Sequence, residues 1–431
     1  MPAPVDFRPS LAAASLLAVL AGTYEAAVQW PGRPATPVTE ATRPKPEPAA
    51  APVASAAAPS ASASTPDNPD CLPQPIRFVR TRPNPMPHRY QGLVGGEPAT
   101  AELRWMRPDS VTGSFYQWQR GPEYQLAGYG SRRPPFVFTL SSNYPDYGRT
   151  DGTWRLTGPL GPMLRGVWVN AAGQRRPFVL RESYASGVRY EVQGLLLSGG
   201  KPESGGIDGF ACAVPSHSRD YLHLVLPPGS SPALRRWQAP PLAVRRRQLR
   251  AAYPQDSEGS SSIQVRLNDF GLLSYETDEY ERPFGGQPDY EVLGTLLDLR
   301  TGQQLDPTNQ LVARHRPALR RLVAHHLLHD ANFDIINKDH YARWLWEEPD
   351  APDAAADTTY SLSLWKQRRL APLTNQAVLT AEGLELTYRM GDLSDAGTAP
   401  DQTVLVPYAE LRPLVRPGTP LARMLKARGL W

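Results

Sequence analysis

The chain has 431 residues, enough for about two or three domains of ordinary size, and its formal net charge is +4 at pH 7. The densest basic run is LAVRRRQLR (242–250), and no basic motif interleaved with aromatic residues accompanies it. A run of this kind is typical of a solvated helix face, so composition and charge argue against nucleic acid as a partner.

The first 30 residues have the pattern of an export leader. Arg8 precedes an apolar stretch over residues 11–22, whose length suits the hydrophobic region of a signal peptide. Extending the stretch over residues 11–30 adds few strongly polar side chains, so a membrane anchor is the alternative. Residues 1–30 therefore predict a signal peptide or a membrane tether. In both cases we expect an extracytoplasmic protein, which is periplasmic, secreted or membrane-anchored.

Residues 31–70 consist almost entirely of Pro, Ala, Ser and Thr with scattered charges. Such a segment has too few large apolar side chains to offset the entropy lost on ordering, and its prolines favour extended conformations. The composition predicts a disordered linker between the leader and the folded part of the chain.

The chain contains two cysteines, Cys71 and Cys212. In a protein exported to an oxidising compartment, a single pair of cysteines can form one disulfide. We expect this disulfide, and two separate thiols are the alternative, because spacing alone does not distinguish them.

Residues 71–214 are built from short apolar runs that are rich in aromatic residues and punctuated by Gly and Pro, such as FVFTLSS and GTWRLTG. This pattern predicts an antiparallel β domain, as a meander, sandwich or barrel. Its aromatic residues, Trp154 and Trp168 among them, are interpreted as cross-strand core pairs, with a sugar-binding platform as the alternative.

Residues 215–431 mix strand and helix patterns without regular alternation. IQVRL (263–267) and YEVLGTLLDL (290–299) predict strands, and PALRRLVAHHLLHD (317–330) predicts a helix. This order predicts an α+β domain in which helices pack on an antiparallel sheet.

The sharpest candidate for chemistry is VAHHLLHD (323–330). His325 and His329 are four residues apart, which on a helix places both imidazoles on one face, as in zinc peptidases. The position of the general-base Glu of such enzymes is occupied by His326, which disfavours peptidase chemistry. A metal site completed by Asp330, Asp334 or His340 is one interpretation, and a plain amphipathic helix is the other.

A second candidate is the turn ERPFGGQPDY (281–290). Tyr280, Phe284 and Tyr290 bracket this turn, and exposed aromatic residues on loops are favoured anchors of protein interfaces. Asp289 and Glu281 lie beside them as partners for a cationic ligand such as lysozyme. The alternative is that these rings pack back onto the sheet.

The segment GLELTYRMGDLSDAGTAPD (383–401) combines a strand with a loop. Leu384, Leu386 and Tyr388 alternate with polar residues, as one buried strand face would. The following loop carries Asp392, Asp395 and Asp401, which suit a rim that faces a basic partner, and an acidic solvated loop is the alternative.

Three phrases in the C-terminal half occur in a recognisable order: DLRTGQQL (298–305), GLELTY (383–388) and VPYAEL (406–411). With them, residues 220–415 resemble the extracytoplasmic domain of RsiV-type anti-sigma factors, which is also the C-terminal domain of PdaC-like peptidoglycan deacetylases. The resemblance implies an envelope location and a binding role for exposed loops, with lysozyme or cell-wall material as ligands.

We therefore expect a cell-envelope binding module without catalytic activity or a cofactor, which recognises a peptidoglycan component or a wall-degrading enzyme such as lysozyme. The alternative is a metal-dependent hydrolase centred on His325 and His329.

Overall fold

The computed structural model of the chain describes residues 74–80, 85–107, 110–119, 122–129, 137–142, 150–158, 161–200, 203–204, 212–213, 216–251, 257–283, 289–329, 373–374, 376–388 and 402–431. The predicted leader and linker, residues 1–70, lie outside these ranges and stay predictions. Within the described ranges, no helix is both long and apolar enough to cross a membrane.

The described strands are β1 (Gln74–Arg80), β2 (His88–Val94), β3 (Glu97–Arg107), β4 (Ser110–Gln117), β5 (Tyr124–Tyr129), β6 (Val137–Ser142), β7 (Thr150–Leu156), β8 (Met163–Asn170), β9 (Arg175–Glu182), β10 (Arg189–Gly200), β11 (Glu203–Ser204), β12 (Cys212–Ala213), β13 (Ser216–Val225), β14 (Ser257–Asp269), β15 (Leu272–Pro283), β16 (Asp289–Asp298), β17 (Gln303–Leu305), β18 (Ala377–Leu379), β19 (Gly383–Tyr388) and β20 (Gln402–Pro407). The described α-helices are α1 (Pro232–Arg235), α2 (Leu242–Ala251), α3 (Arg316–His329), α4 (Tyr408–Leu411) and α5 (Pro420–Ala427). Short 3-10 turns lie at Thr308–Gln310, Ala313–His315 and Arg412–Leu414.

Strands β2 to β9 close into an antiparallel barrel, because β9 pairs with β2 as well as with β8. Its interior is filled by aliphatic and aromatic side chains that project inward at alternate strand positions. Trp154 and Trp168 are direct cross-strand partners, and Phe115 packs on Trp154 with ring centroids 4.9 Å apart. The interpretation of the aromatic residues as cross-strand core pairs is confirmed for Trp154 and Trp168. Tyr116 and Trp118, in contrast, pack in the core that the C-terminal helices share.

A second sheet has seven strands in the order β1-β10-β13-β14-β15-β16-β17. It contacts the barrel where the Thr100 and Tyr116 hydroxyls donate hydrogen bonds to Asp269. Its neighbouring strands are antiparallel except for β13 and β14, which run parallel. Helix α1 places Leu234 in a core with Leu222 and Leu273, and α2 places Leu249 against Leu195. The amphipathic pattern of the sequence thus produces helices that bury one side on the sheet.

A smaller sheet consists of β18, β19 and β20, and it shares a hydrophobic core with α3 and α5. Leu384, Leu386 and Tyr388 are buried, as their alternation predicts, but Thr387 is also only 7% exposed because β19 is the central strand. Helix α5 begins at Pro420, where the Thr419 hydroxyl accepts a hydrogen bond from the amide of Ala422.

The predicted α+β class is confirmed: antiparallel sheets dominate, and the helices pack against them. The barrel lies within the predicted β domain, residues 71–214. The seven-stranded sheet, however, takes β10 from before residue 214 and β13 from after it, and these strands pair from Arg189↔Val225 to Ser198↔Ser216. The described residues belong to one compact unit, Thr65–Trp431. The division into two folding domains at residue 214 stays a prediction.

Candidate functional site

The strand ends of the β15–β16 pair, residues 278–282 and 289–292, are called the hairpin end below. On one face, Tyr280 and Tyr290 are direct cross-strand partners, with ring centroids 5.0 Å apart and ring planes inclined by 46°. The Tyr280 hydroxyl donates to Glu258 Oε1 at 3.3 Å, whereas Tyr290 is 47% exposed. Glu258 also forms an ion pair with Arg282 at 3.7 Å. This face therefore presents an exposed aromatic ring beside one that a hydrogen bond holds in place.

The other face of the hairpin end carries four carboxylates in two directly opposed couples, Glu279 with Glu291 and Glu281 with Asp289. Side chains alternate between faces along a strand, so all four lie away from the two tyrosines. Arg219 forms an ion pair with Glu279 at 3.6 Å. The Ser257 hydroxyl donates a hydrogen bond to Glu281 at 3.4 Å. Like charges directly opposite each other destabilise a sheet. This arrangement concentrates negative charge at a place where a cationic partner would relieve the repulsion.

The structure brings two of the predicted contact residues, Tyr280 and Tyr290, together and places Asp289 on the opposite face of the same strand pair. Phe284 lies outside the described residues. Sequence reasoning did not select Glu279 or Glu291 as site residues. The spacing of Glu279 and Glu281, two residues apart in DEYE (278–281), was the available signal, but their partners across the strand follow only from the register.

The histidine pattern lies on helix α3, as predicted. His325 is exposed, and His326 Nε2 lies 3.1 Å from Glu410 Oε2. The rings of His325 and His326 are 5.5 Å apart. Within the described part of the chain, no group of three or more His, Cys, Asp or Glu residues could hold a metal ion. The side chain of His329 lies outside that part, so the metal interpretation stays a prediction.

The other proposed third ligands, Asp330, Asp334 and His340, also lie outside the described residues. The same holds for the loop residues Asp392, Asp395 and Asp401 and for Cys71. Cys212 begins β12, but its side chain is not described. The acidic rim and the disulfide therefore stay predictions.

A set of half-buried acids lies where barrel strand β3 meets sheet strand β14. Glu102 accepts hydrogen bonds from Asn268 Nδ2 at 2.8 Å and from the Tyr190 hydroxyl at 3.0 Å. Burial raises the pKa of Glu102 and raises the pKa of Glu123 to about 7. The cavity beside these groups has a volume of about 30 Å³, room for about one water molecule. Perturbed acids can mark active sites, but this cavity has no room for a substrate.

The neighbouring strands hold a second group of acids around Arg266. Its Nη2 lies 2.5 Å from Glu385 Oε1, and its Nη1 lies 3.5 Å from Glu276 Oε1. Burial raises the pKa of Glu276 to about 7, although Arg266 opposes this shift. Sequence reasoning missed these residues because each acid comes from a different strand or loop, and no local motif joins them.

No known protein family and no curated protein matches the sequence. Among solved structures, a DUF3298 family protein from Pseudomonas aeruginosa PAO1 is similar at 18% identity and a TM-score of 0.36, covering 55% of this chain and 97% of that one. A DUF3298 family member from Bacteroides fragilis NCTC 9343 is similar at 14% identity and a TM-score of 0.35, covering 56% and 99%. Similarity this distant establishes neither family nor function. The expected kinship with RsiV-type and PdaC-like domains stays a prediction.

Proposed function

We propose that this chain is a non-catalytic binding module of the cell envelope whose hairpin end captures a cationic protein, with a wall-degrading enzyme such as lysozyme as the first candidate. The observation that carries the proposal is the pair of opposed carboxylate couples, Glu279 with Glu291 and Glu281 with Asp289. Cross-strand pairs that served stability alone would combine opposite charges or apolar groups.

Tyr290 lies on the face opposite the carboxylates, so a partner that contacts the hairpin end from both faces would also bury its exposed ring. Tyrosine supplies large contact area at low entropic cost in protein interfaces. The carboxylates would act mainly on the rate of association, because complementary charge steers the encounter of two proteins. An export leader over residues 1–30 would bring the chain to the compartment where wall-degrading enzymes act.

The test is a calorimetric titration of the full chain with lysozyme at physiological ionic strength. We expect one-to-one binding with a dissociation constant in the micromolar range or tighter. Tyr290→Ala should weaken binding at least tenfold, whereas Tyr129→Ala should leave it unchanged. Tyr129 is the matched control, because it is 66% exposed but lies on barrel strand β5.

A polylysine peptide separates specific capture from general attraction to positive charge, and it should bind at least tenfold more weakly than lysozyme. The proposal fails if lysozyme gives no heat at several temperatures, or if both tyrosine variants bind equally well. Cosedimentation with purified peptidoglycan would then test the remaining ligand class, a cell-wall component.

A further inference from the structure

The parallel strands β13 and β14 separate soon after they meet. They pair only at His217↔Gly259, Ser218↔Ser260 and Arg219↔Ser261. Beyond these pairs, the Asp220 carboxylate accepts a hydrogen bond from the amide of Ile263 at 3.4 Å, in place of a backbone carbonyl. The gap that opens is bordered by both strands, by β15 and by the segment 236–240 between α1 and α2.

This gap holds a cavity with a volume of about 300 Å³. That volume lies at the lower end of the range of about 300–1,000 Å³ found for small-molecule sites, so it suits a ligand built on a single ring. The cavity is separate from the histidine helix and from the tyrosine face of the hairpin end. Its chemistry therefore has to be deduced from its own walls.

Aromatic side chains form part of those walls, and contacts outside the cavity hold them in place. Trp237 donates from Nε1 to the carbonyl of Gly302 at 3.0 Å. The guanidinium of Arg245 stacks over Tyr221 with its carbon 5.1 Å from the ring centroid. Rings fixed before binding reduce the entropy that a ligand loses. Trp237 and Tyr221 thus give the site preformed flat surfaces.

Positive charge and hydrogen-bonding groups complete the lining. The lining contains the guanidinium groups of Arg219 and Arg236 and the carboxylate of Asp220. Arg219 also forms an ion pair with Glu279 on β15 at 3.6 Å, so Arg236 is the candidate guanidinium group for an incoming anion. Arg236 is exposed, and a guanidinium forms paired hydrogen bonds with carboxylates and phosphates. The Ser261 hydroxyl is buried at the wall and has no hydrogen-bond partner among the described residues, so turning it toward a ligand breaks no existing bond.

From these walls we infer that the cavity between β13 and β14 binds a single-ring sugar that carries one anionic group. The ring packs on Trp237, the anion pairs with Arg236, and polar side chains such as Gln248 and Thr277 meet the sugar hydroxyls. The anion is a carboxylate or a phosphate, since both share the geometry that a guanidinium recognises. This inference does not rest on the proposed capture of a protein.

Ligand-observed NMR titrations of the full chain test the inference with glucuronate, glucose 6-phosphate and glucose. We expect a dissociation constant on the order of 1 mM for at least one anionic sugar, a value typical of so small a ligand. Glucose, which has the ring without the anion, should bind at least tenfold more weakly. A preference for glucuronate or for glucose 6-phosphate identifies the anion.

Two variants and one control locate the site. Arg236→Glu should weaken binding of the anionic sugar at least tenfold, whereas Arg235→Glu should leave this binding unchanged. Arg235 is the neighbouring exposed arginine, and it does not line the cavity. Trp237→Ala should abolish binding, and if this variant does not fold, the arginine pair still decides the question. The inference would be overturned by any of three results. Neither anionic sugar binds, glucose binds as tightly as the anionic sugars, or the two arginine variants lose the same affinity for the anionic sugar.

Discussion

Arg89 and Asp269 form an ion pair that is completely buried and joins the barrel to the seven-stranded sheet. Arg89 Nη2 lies 2.5 Å from Asp269 Oδ1, and both side chains are 0% exposed. The Asp269 carboxylate also accepts hydrogen bonds from the Thr100 and Tyr116 hydroxyls, at 2.5 Å and 2.8 Å. Arg89 donates from Nε to the carbonyl of Asn268 at 2.7 Å. Arg89 Nη1 donates to the carbonyl of Ser183 at 2.7 Å, so every nitrogen of the guanidinium and both oxygens of the carboxylate have a partner at the junction.

The first prediction is that Asp269→Ala destabilises the protein by about 3–5 kcal/mol, because it leaves the buried Arg89 charge without compensation. The measurement is the free energy of unfolding in urea. Arg189→Ala is the control, since its ion pair with Glu182 is 45% exposed on the arginine side and should contribute less than about 1 kcal/mol. If both variants lose a similar free energy of unfolding, the buried ion pair contributes no more to stability than the exposed one.

Arg428 fixes the C-terminal end of the chain against the same junction. It is 3% exposed and donates to the carbonyls of Trp118 and Ala381 at 2.8 Å and 2.7 Å. Its guanidinium also stacks over Tyr116 and Tyr408, with its carbon 5.5 Å and 5.0 Å from the ring centroids. A planar group with several donors is required for this combination of contacts.

The second prediction is therefore that Arg428→Lys lowers the free energy of unfolding by about 2 kcal/mol, although the charge is kept, because one ammonium cannot satisfy both carbonyls and stack on both rings. Arg412→Lys, at an exposed position, should change stability by less than about 0.5 kcal/mol. Equal melting temperatures for wild type and Arg428→Lys would contradict this account.

The third prediction concerns pH. Burial raises the pKa of Glu123 and of Glu276 to about 7 each, so the folded protein binds more protons than the unfolded chain between about pH 4.5 and pH 7. The stability that these groups contribute is present at low pH and is lost as pH rises through 7. The loss is at most about 3 kcal/mol for each group, and it is smaller where solvent reaches the carboxylate.

Glu123→Gln removes this titration while keeping the shape of the side chain. Compared with wild type, the variant should therefore gain stability as pH rises from 5 to 8, and urea titrations at several pH values would measure the difference. Because other titrating groups are common to both proteins, they cancel in the comparison. A difference that stays constant with pH would show that Glu123 titrates near its ordinary value.

Local patterns in the sequence were sufficient for the antiparallel strands between residues 71 and 214, the core position of Trp154 and Trp168, and the helix that carries the histidines. Each of these depends on apolar periodicity within one or two neighbouring segments. The Arg89–Asp269 pair was not predictable in this way, because polar residues in a strand normally indicate a solvated face. Its burial depends on how the barrel meets the turn at Phe270 and Gly271, whose φ angles are 57° and 77°.

The candidate sites likewise combine features that a local sequence pattern predicts with features that depend on tertiary structure. The position of Tyr280 and Tyr290 in sequence was enough to select their turn, but the placement of Asp289 on the other face depends on the strand register. The cavity beside Trp237 has no sequence signal, because it forms where two strands that pair over a short stretch diverge. A tertiary gap of this kind is encoded by the packing of several elements at once.

The fourth prediction separates function from stability at the hairpin end. Glu281→Lys replaces a like-charge couple with an opposite-charge couple across from Asp289. Removing the repulsion should raise the free energy of unfolding by about 0.2–1 kcal/mol, and the gain should shrink at high salt because exposed charges are screened. If the acidic face captures lysozyme, the same variant should bind it at least tenfold more weakly.

Ala127→Lys serves as the control for added charge, because Ala127 is exposed on β5 and its cross-strand neighbours are Thr112 and Thr139. It should change neither stability nor lysozyme binding appreciably. Urea unfolding at low and high salt and calorimetric titration would be carried out on both variants. A stabilised Glu281→Lys that still binds lysozyme as wild type does would show that the acidic face is not the contact. A destabilised Glu281→Lys would show that the opposed carboxylates do not lower the free energy of unfolding of the wild-type protein.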